Sequence, residues 1–124
     1  NLPAGVLANA AAVLAFSSAR HLPQGVGQDH LDADGGLHPG ITNLPIPVLA
    51  CEGERLADLR RQALESPGVG CVDFSEAAQR ARRYEDYEAR LKVSREGDLR
   101  YLGLCLFGES TRVKRLTGNL PLAG

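Results

Sequence analysis

Asp73 is the carboxylate best placed to do chemistry, because it closes the apolar run VGCVDF (residues 69–74). Open α/β sheets gather their sites at the carboxyl ends of strands. An Asp there can serve as a general base only if its surroundings tune it, since an ordinary exposed carboxylate is a weak base at neutral pH. The position also has a structural use. Asp73, Phe74, Ser75 and Glu76 fit a capping box in which Asp73 accepts a helix amide and Glu76 reaches back, with Ser75 as a rival cap. Asn9 stands among alanines in a helical run, where a buried amide must find a backbone partner or face a crevice. In LTGNLP (residues 116–121), Thr117, Gly118 and Asn119 offer a hydroxyl, an open backbone and an amide, or simply a turn. His38, before Pro39, reads as a loop residue within reach of a cleft. Asp73 is thus the candidate for catalysis, and Asn9, His38, Thr117 and Asn119 are the candidates for binding a small polar ligand.

Other chemistries lack their patterns. His30, Asp32, Asp34 and His38 lie close together, but the glycine and terminal glutamate of a calcium loop are out of place, with Asn43 where the bidentate Glu belongs. No zinc spacing, no nucleophile elbow and no phosphate-cradling glycine loop occurs, so neither a metal nor a cofactor is implied. The basic run RVKR (residues 112–115) has no interleaved aromatics and reads as a solvated edge. With 14 Lys and Arg against 15 Asp and Glu, net charge −1, a nucleic-acid-binding module is disfavoured.

At 124 residues and 44% hydrophobic, the chain suits one domain, spanning residues 1–124, rather than disorder. No stretch approaches the roughly 18 apolar residues a membrane span needs, and no basic leader precedes the apolar N-terminal segment, so the expected location is cytoplasmic. Cys51, Cys71 and Cys105 are odd in number and lie in or beside apolar runs, as packed thiols do.

The periodicity predicts how these residues are positioned. A helix runs from about Val6 to Arg20, with Val6, Ala10, Val13, Leu14 and Ser17 on one face. Asp34 and Gly35 suit a hairpin turn, and residues 45–51 read as a strand with Pro47 at its start or edge. Residues 54–64 form an amphipathic helix with Leu56, Leu59, Ala63 and Leu64 inward, and residues 68–74 a strand. The next helix turns Ala77, Ala81, Tyr84, Tyr87 and Leu91 inward and pairs Arg82 with Asp86, Asp86 with Arg90 and Glu88 with Lys92 outside. Residues 101–107 and 113–116 flank Gly108, Glu109 and Ser110 as a terminal hairpin. The alternation predicts a sheet between helices, with parallel crossovers first and an antiparallel pair at the end. The first helix lacks a preceding strand, so a strand ahead of Asn1 is expected to complete the sheet.

Three segments, LPAGVLANA (residues 2–10), HPGIT with PIPVL (residues 38–42 and 45–49) and LTGNLPL (residues 116–122), resemble a bacterial family of small uncharacterised proteins. The fold of that family resembles the archaeal and eukaryotic type of peptidyl-tRNA hydrolase. The resemblance implies a three-layer α/β/α domain with a mixed four- or five-stranded sheet and an N-terminal strand before residue 1. Asp73 matches the hydrolase aspartate after the strand, and Thr117-Gly118 its terminal signature. The turn LPAGVL (residues 2–7) carries no lysine, however, and Ala77 stands where the hydrolase has a threonine. The expectation is therefore a small-ligand-binding protein without the full catalytic set. The alternatives are a hydrolase using Asp73 and a non-enzymatic homodimeric interaction module, closed two-fold pairs being common.

Overall fold

The computed structural model describes residues 2–124. Helix α1 spans Ala4–Ser18 and starts where Pro3 offers its carbonyl to the amides of Val6 and Leu7, at 3.0 and 3.1 Å. Ala10, Leu14 and Ser18 recur every four residues as its buried stripe. A short 3-10 turn, Ala19–His21, ends it.

The glycine-rich excursion is a braced arm. Strands β1 (His30–Leu31) and β2 (Leu37–His38) pair antiparallel around the expected Asp34-Gly35 turn. Gly35 takes φ +84°, which a side chain would oppose. Asp32 holds the loop shut by accepting the amides of Asp34 and Gly36, both at 2.9 Å. Residues 45–51, expected as a strand, are instead extended chain with one isolated bridge, Leu49 to Leu122. Pro45 and Pro47 supply no amide to a ladder, and among the described residues the segment's backbone hydrogen bonds beyond itself run to the C-terminal tail, Ala50 N–H to Pro121 O and Ala123 N–H to Val48 O, both 2.8 Å.

Helix α2 (Gly53–Leu64) buries Leu56 and Ala63 and half-buries Leu59, while Leu64, expected inside, is exposed because it falls off that stripe. Strand β3 (Val69–Ser75) follows, paired antiparallel with β4 (Tyr101–Gly108). Between them, the single helix expected after residue 75 is two pieces, α3 (Glu76–Arg80) and α4 (Tyr84–Val93), because Ala81 and Arg83 are extended. Arg80 and Arg83 would stand as like charges three residues apart on one face of a continuous helix. Asp86 pairs with Arg83 at 3.6 Å rather than with Arg82 or Arg90, whereas Glu88–Lys92 forms as expected at 3.3 Å. Tyr84 and Leu91 are exposed.

Past β4 the expected second strand of a terminal hairpin is helix α5 (Ser110–Thr117). Glu109 accepts the amides of Thr111 and Arg112 at 3.1 and 3.0 Å, and this N-cap decides for helix where propensity alone was ambiguous. The whole is a mixed α/β fold with small sheets. Among the described residues the sheets are two antiparallel pairs, β1–β2 and β3–β4, so the expected four- or five-stranded mixed sheet and its parallel crossovers are absent from them. Helices α1 and α2 both touch both strands of the longer ribbon. Leu14 of α1 packs at Gly103, with Ala10, Leu14 and Phe74 as the buried centre on that side. Side chains alternate along a strand, so Asp73, next to Phe74, faces the other side, toward α2.

Candidate functional site

The polar centre of the molecule lies on that second side. Arg60 occupies the inward stripe of α2, one turn after Leu56 and one before Ala63, and its Nε donates to Asp73 Oδ2 at 3.1 Å. Its Nη1 lies 3.7 Å from Glu96 Oε1 in the short 3-10 turn Glu96–Asp98. Its guanidinium sits 5.4 Å from the centre of the Tyr101 ring, within cation–π range.

Tyr101 reaches this place through an irregularity in the ladder. Phe74 pairs with Gly103, but Ser75 pairs with Tyr101, so Leu102 is the extra residue. Strict alternation from Leu104 would send Tyr101 toward α1. Instead Leu102 packs with the Ala10–Leu14–Phe74 cluster and Tyr101 slides under Arg60. Tyr101 is 5% exposed, and its buried hydroxyl has no hydrogen-bond partner among the described residues. The one other such group among the described residues is Ser18 Oγ.

Charge and burial oppose each other across this cluster. Burial pushes the Tyr101 and Tyr87 hydroxyls above the ordinary tyrosine range, and the Asp73 charge adds to the effect. Burial works against the Arg60 charge, but the Asp73 hydrogen bond and the neighbouring Tyr101, Asp73 and Glu96 outweigh it and raise its pKa. The Cys71 thiol is pushed up to about 11, first by burial and then by Asp73, so at neutral pH it is a protonated packing group and no nucleophile.

The capping box expected at Asp73 does not form. Ser75 is the N-cap of α3, accepting from Ala78 N–H at 3.4 Å, while Glu76 takes Arg80 at 3.2 Å and Arg100 at 3.1 Å. Asp73 is spent on Arg60, an ion pair across two elements that competes with the local cap.

A groove of about 440 Å³ opens beside the cluster, across the connector that carries Glu96. Glu76, Arg80, Asp86, Arg90, Asp98 and Arg100 line it, with Ser94 and Leu99 from the same connector. Three cations and three carboxylates thus share one concavity. Glu76 engages Arg80 and Arg100, and Asp86 engages Arg83. Among the described residues, Arg90 and Asp98 enter no ion pair.

The remaining sequence candidates stand elsewhere. Asn9 is exposed on α1, on the opposite side of the ribbon from Asp73. His38 belongs to the arm, its Nε2 2.8 Å from Asp32 Oδ2. The Thr117 hydroxyl donates to Val113 O at 2.9 Å inside α5, and Asn119 is exposed in the turn beyond it. Among the described residues no hydrogen bond joins any of these four to Asp73. Among them also, no three His, Cys, Asp or Glu side chains converge as a metal site would require. Arg60 and Tyr101 were the residues sequence reasoning passed over, and Arg60 carried a signal, because the Leu56–Arg60–Ala63 spacing puts it on the apolar stripe.

A solved structure of a protein of unknown function from Agrobacterium tumefaciens has the same fold, with a TM-score of 0.86 at 16% identity, covering 100% of this chain and 91% of that one. No curated protein matches the chain. Among the described residues no helix is long and apolar enough to cross a membrane. The alignment to a family described as protein of unknown function (DUF2000) runs over residues 1–123, nearly the whole chain, and the chain therefore belongs to that family.

Proposed function

We propose that the chain binds a small polar ligand bearing both charges, an ammonium and a carboxylate, in the groove between α3, α4 and the start of β4. The observation that carries this reading is the pair of uncommitted opposite charges, Arg90 and Asp98, in a concavity whose other ionic groups already pair within the protein. A zwitterion satisfies both without leaving an excess charge in the groove, whereas an anion alone meets the carboxylates of Glu76, Asp86 and Asp98. The Arg60–Asp73–Tyr101 cluster lies behind the connector and fixes the strand end against α2.

The other reading is hydrolysis with Asp73 as base. Supporting it is the position of Asp73 near the carboxyl end of β3; against it stands the Arg60 hydrogen bond, which already commits Oδ2 to an ion pair with α2. Nitrogen-15 NMR titration with glycylglycine, acetate and ethanolamine separates the possibilities. Glycylglycine shifts the amides of residues 76–100 saturably, the single-charge probes do not, and Arg90→Gln weakens binding roughly fivefold. Equal shifts from uncharged N-methylacetamide, or none from glycylglycine, would overturn the reading. Turnover of an amide or ester that vanishes in Asp73→Asn would instead establish the hydrolase.

A further inference from the structure

The accessible surface is 9347 Å² for a chain of 13.2 kDa. A compact monomer of that mass exposes about 6,400 Å², so about 2,900 Å² of surface is in excess. Much of it belongs to the arm formed by residues 26–50, where Val26, Leu31, Leu37, Ile41, Ile46 and Val48 are all exposed, Ile41 at 80%. This is no loose loop. Asp32 braces the turn, Asp29 accepts the Gly40 amide at 2.7 Å, and Gly27 N–H meets Ile41 O at 2.8 Å. A lone two-stranded hairpin is marginal in water, and apolar side chains ordered on one without a core beneath them need a cover.

We propose that the cover is a second copy of this chain, with the arm of each copy lying along α5 of the other. Area and charge both favour that occupant. An obligate homodimer buries about 1,000–2,500 Å² per chain, which at its upper end would absorb most of the excess. The arm carries Asp29, Asp32 and Asp34 and no Lys or Arg, so in a chain of net charge −1 the remaining residues sum to +2. Helix α5 holds Arg112, Lys114 and Arg115 with no carboxylate, and all three are exposed. Among the described residues Lys114 and Arg115 enter no ion pair. A two-fold axis applies this acidic-to-basic match twice, the self-complementary arrangement of an isologous interface.

Sedimentation velocity on the chain across micromolar concentrations gives twice the 13.2 kDa chain mass if the inference holds. Leu37→Asp and Ile41→Asp lie outside the chain's own core, so they leave the circular dichroism unchanged and drive the protein to monomer. Asp34→Lys and Arg115→Glu each raise the dimer dissociation constant roughly tenfold, because symmetry repeats every lost attraction, and together they restore it. A monomer at every concentration overturns the proposal and assigns the surface to another polypeptide or to a strand preceding residue 1. A dimer indifferent to all four substitutions overturns it as well, since the copies would then meet through another face.

Discussion

Tyr101→Phe is expected to stabilise the protein, against the usual outcome of trimming a buried side chain. Tyr101 is 5% exposed, its ring packs under the Arg60 guanidinium, and its hydroxyl has no partner among the described residues. An unpaired buried hydroxyl costs about 1–3 kcal/mol relative to its hydrated state, and phenylalanine removes that cost while keeping the ring, its area and the cation–π contact. A cavity one oxygen atom in size returns part of the gain, leaving about 1 kcal/mol net. For a chain of this length that corresponds to a rise in Tm of about 4 °C. Urea unfolding followed by circular dichroism, with the slope against denaturant unchanged, measures the difference. A loss of 1 kcal/mol or more would refute the reasoning, because it would mean that in solution the hydroxyl holds a hydrogen bond, to a water or to Asp73, worth more than its desolvation.

Removing either partner of the Arg60–Asp73 pair strands a partly buried charge, so Arg60→Gln and Asp73→Asn each cost about 1–2 kcal/mol, and the double-mutant cycle shows coupling of about 1 kcal/mol; additive losses would show that the 3.1 Å hydrogen bond contributes nothing. The Cys71 thiol stays protonated in the folded protein up to about pH 11 but ionises near 9 when unfolded, so the unfolded state binds fewer protons between these values and stability falls as pH rises from 9 to 11. Native-state alkylation of Cys71 at pH 8 is correspondingly slow; a rate equal to that of the unfolded chain would contradict this. Glu109 has its pKa lowered by the amide hydrogen bonds of Thr111 and Arg112, so its stabilisation is present above the ordinary carboxylate pKa and lost as pH falls through the folded value. The protection of those two amides, their exchange measured against the unstructured chain at the same pH, falls along that descent and in Glu109→Ala, and no change in either would remove Glu109 as the cap of α5.

Local pattern and tertiary contact divided the outcome unevenly. The helical spacing of α1, the amphipathic run of α2, the apolar runs of β3 and β4 and the Asp34-Gly35 hairpin were legible, because each rests on side-chain periodicity or on one residue's backbone freedom. The break between α3 and α4 and the helical state of α5 were not. In the first a run of arginines, in the second the Glu109 cap, outweighed an ambiguous apolar period. Residues 45–51 had the composition of a strand, but a strand exists only through a partner, and among the described residues the one bridge they form is Leu49 to Leu122.

Asp73 was recognisable as the polar end of a buried strand, yet its role depended on a residue 13 positions earlier in the chain. Which side chain faces it follows from how α2 is set against the ribbon. That Tyr101 faces the same way follows from the one extra residue in β4, which no alternation rule foresees. Composition, charge balance, helix stripes and the hairpin turn were thus determined by the sequence itself, since they depend on neighbours within a few residues. The Arg60–Asp73–Tyr101 cluster and the groove beside it were decided only in three dimensions, because burial and ion pairing act between elements whose separation along the chain sets no distance in space.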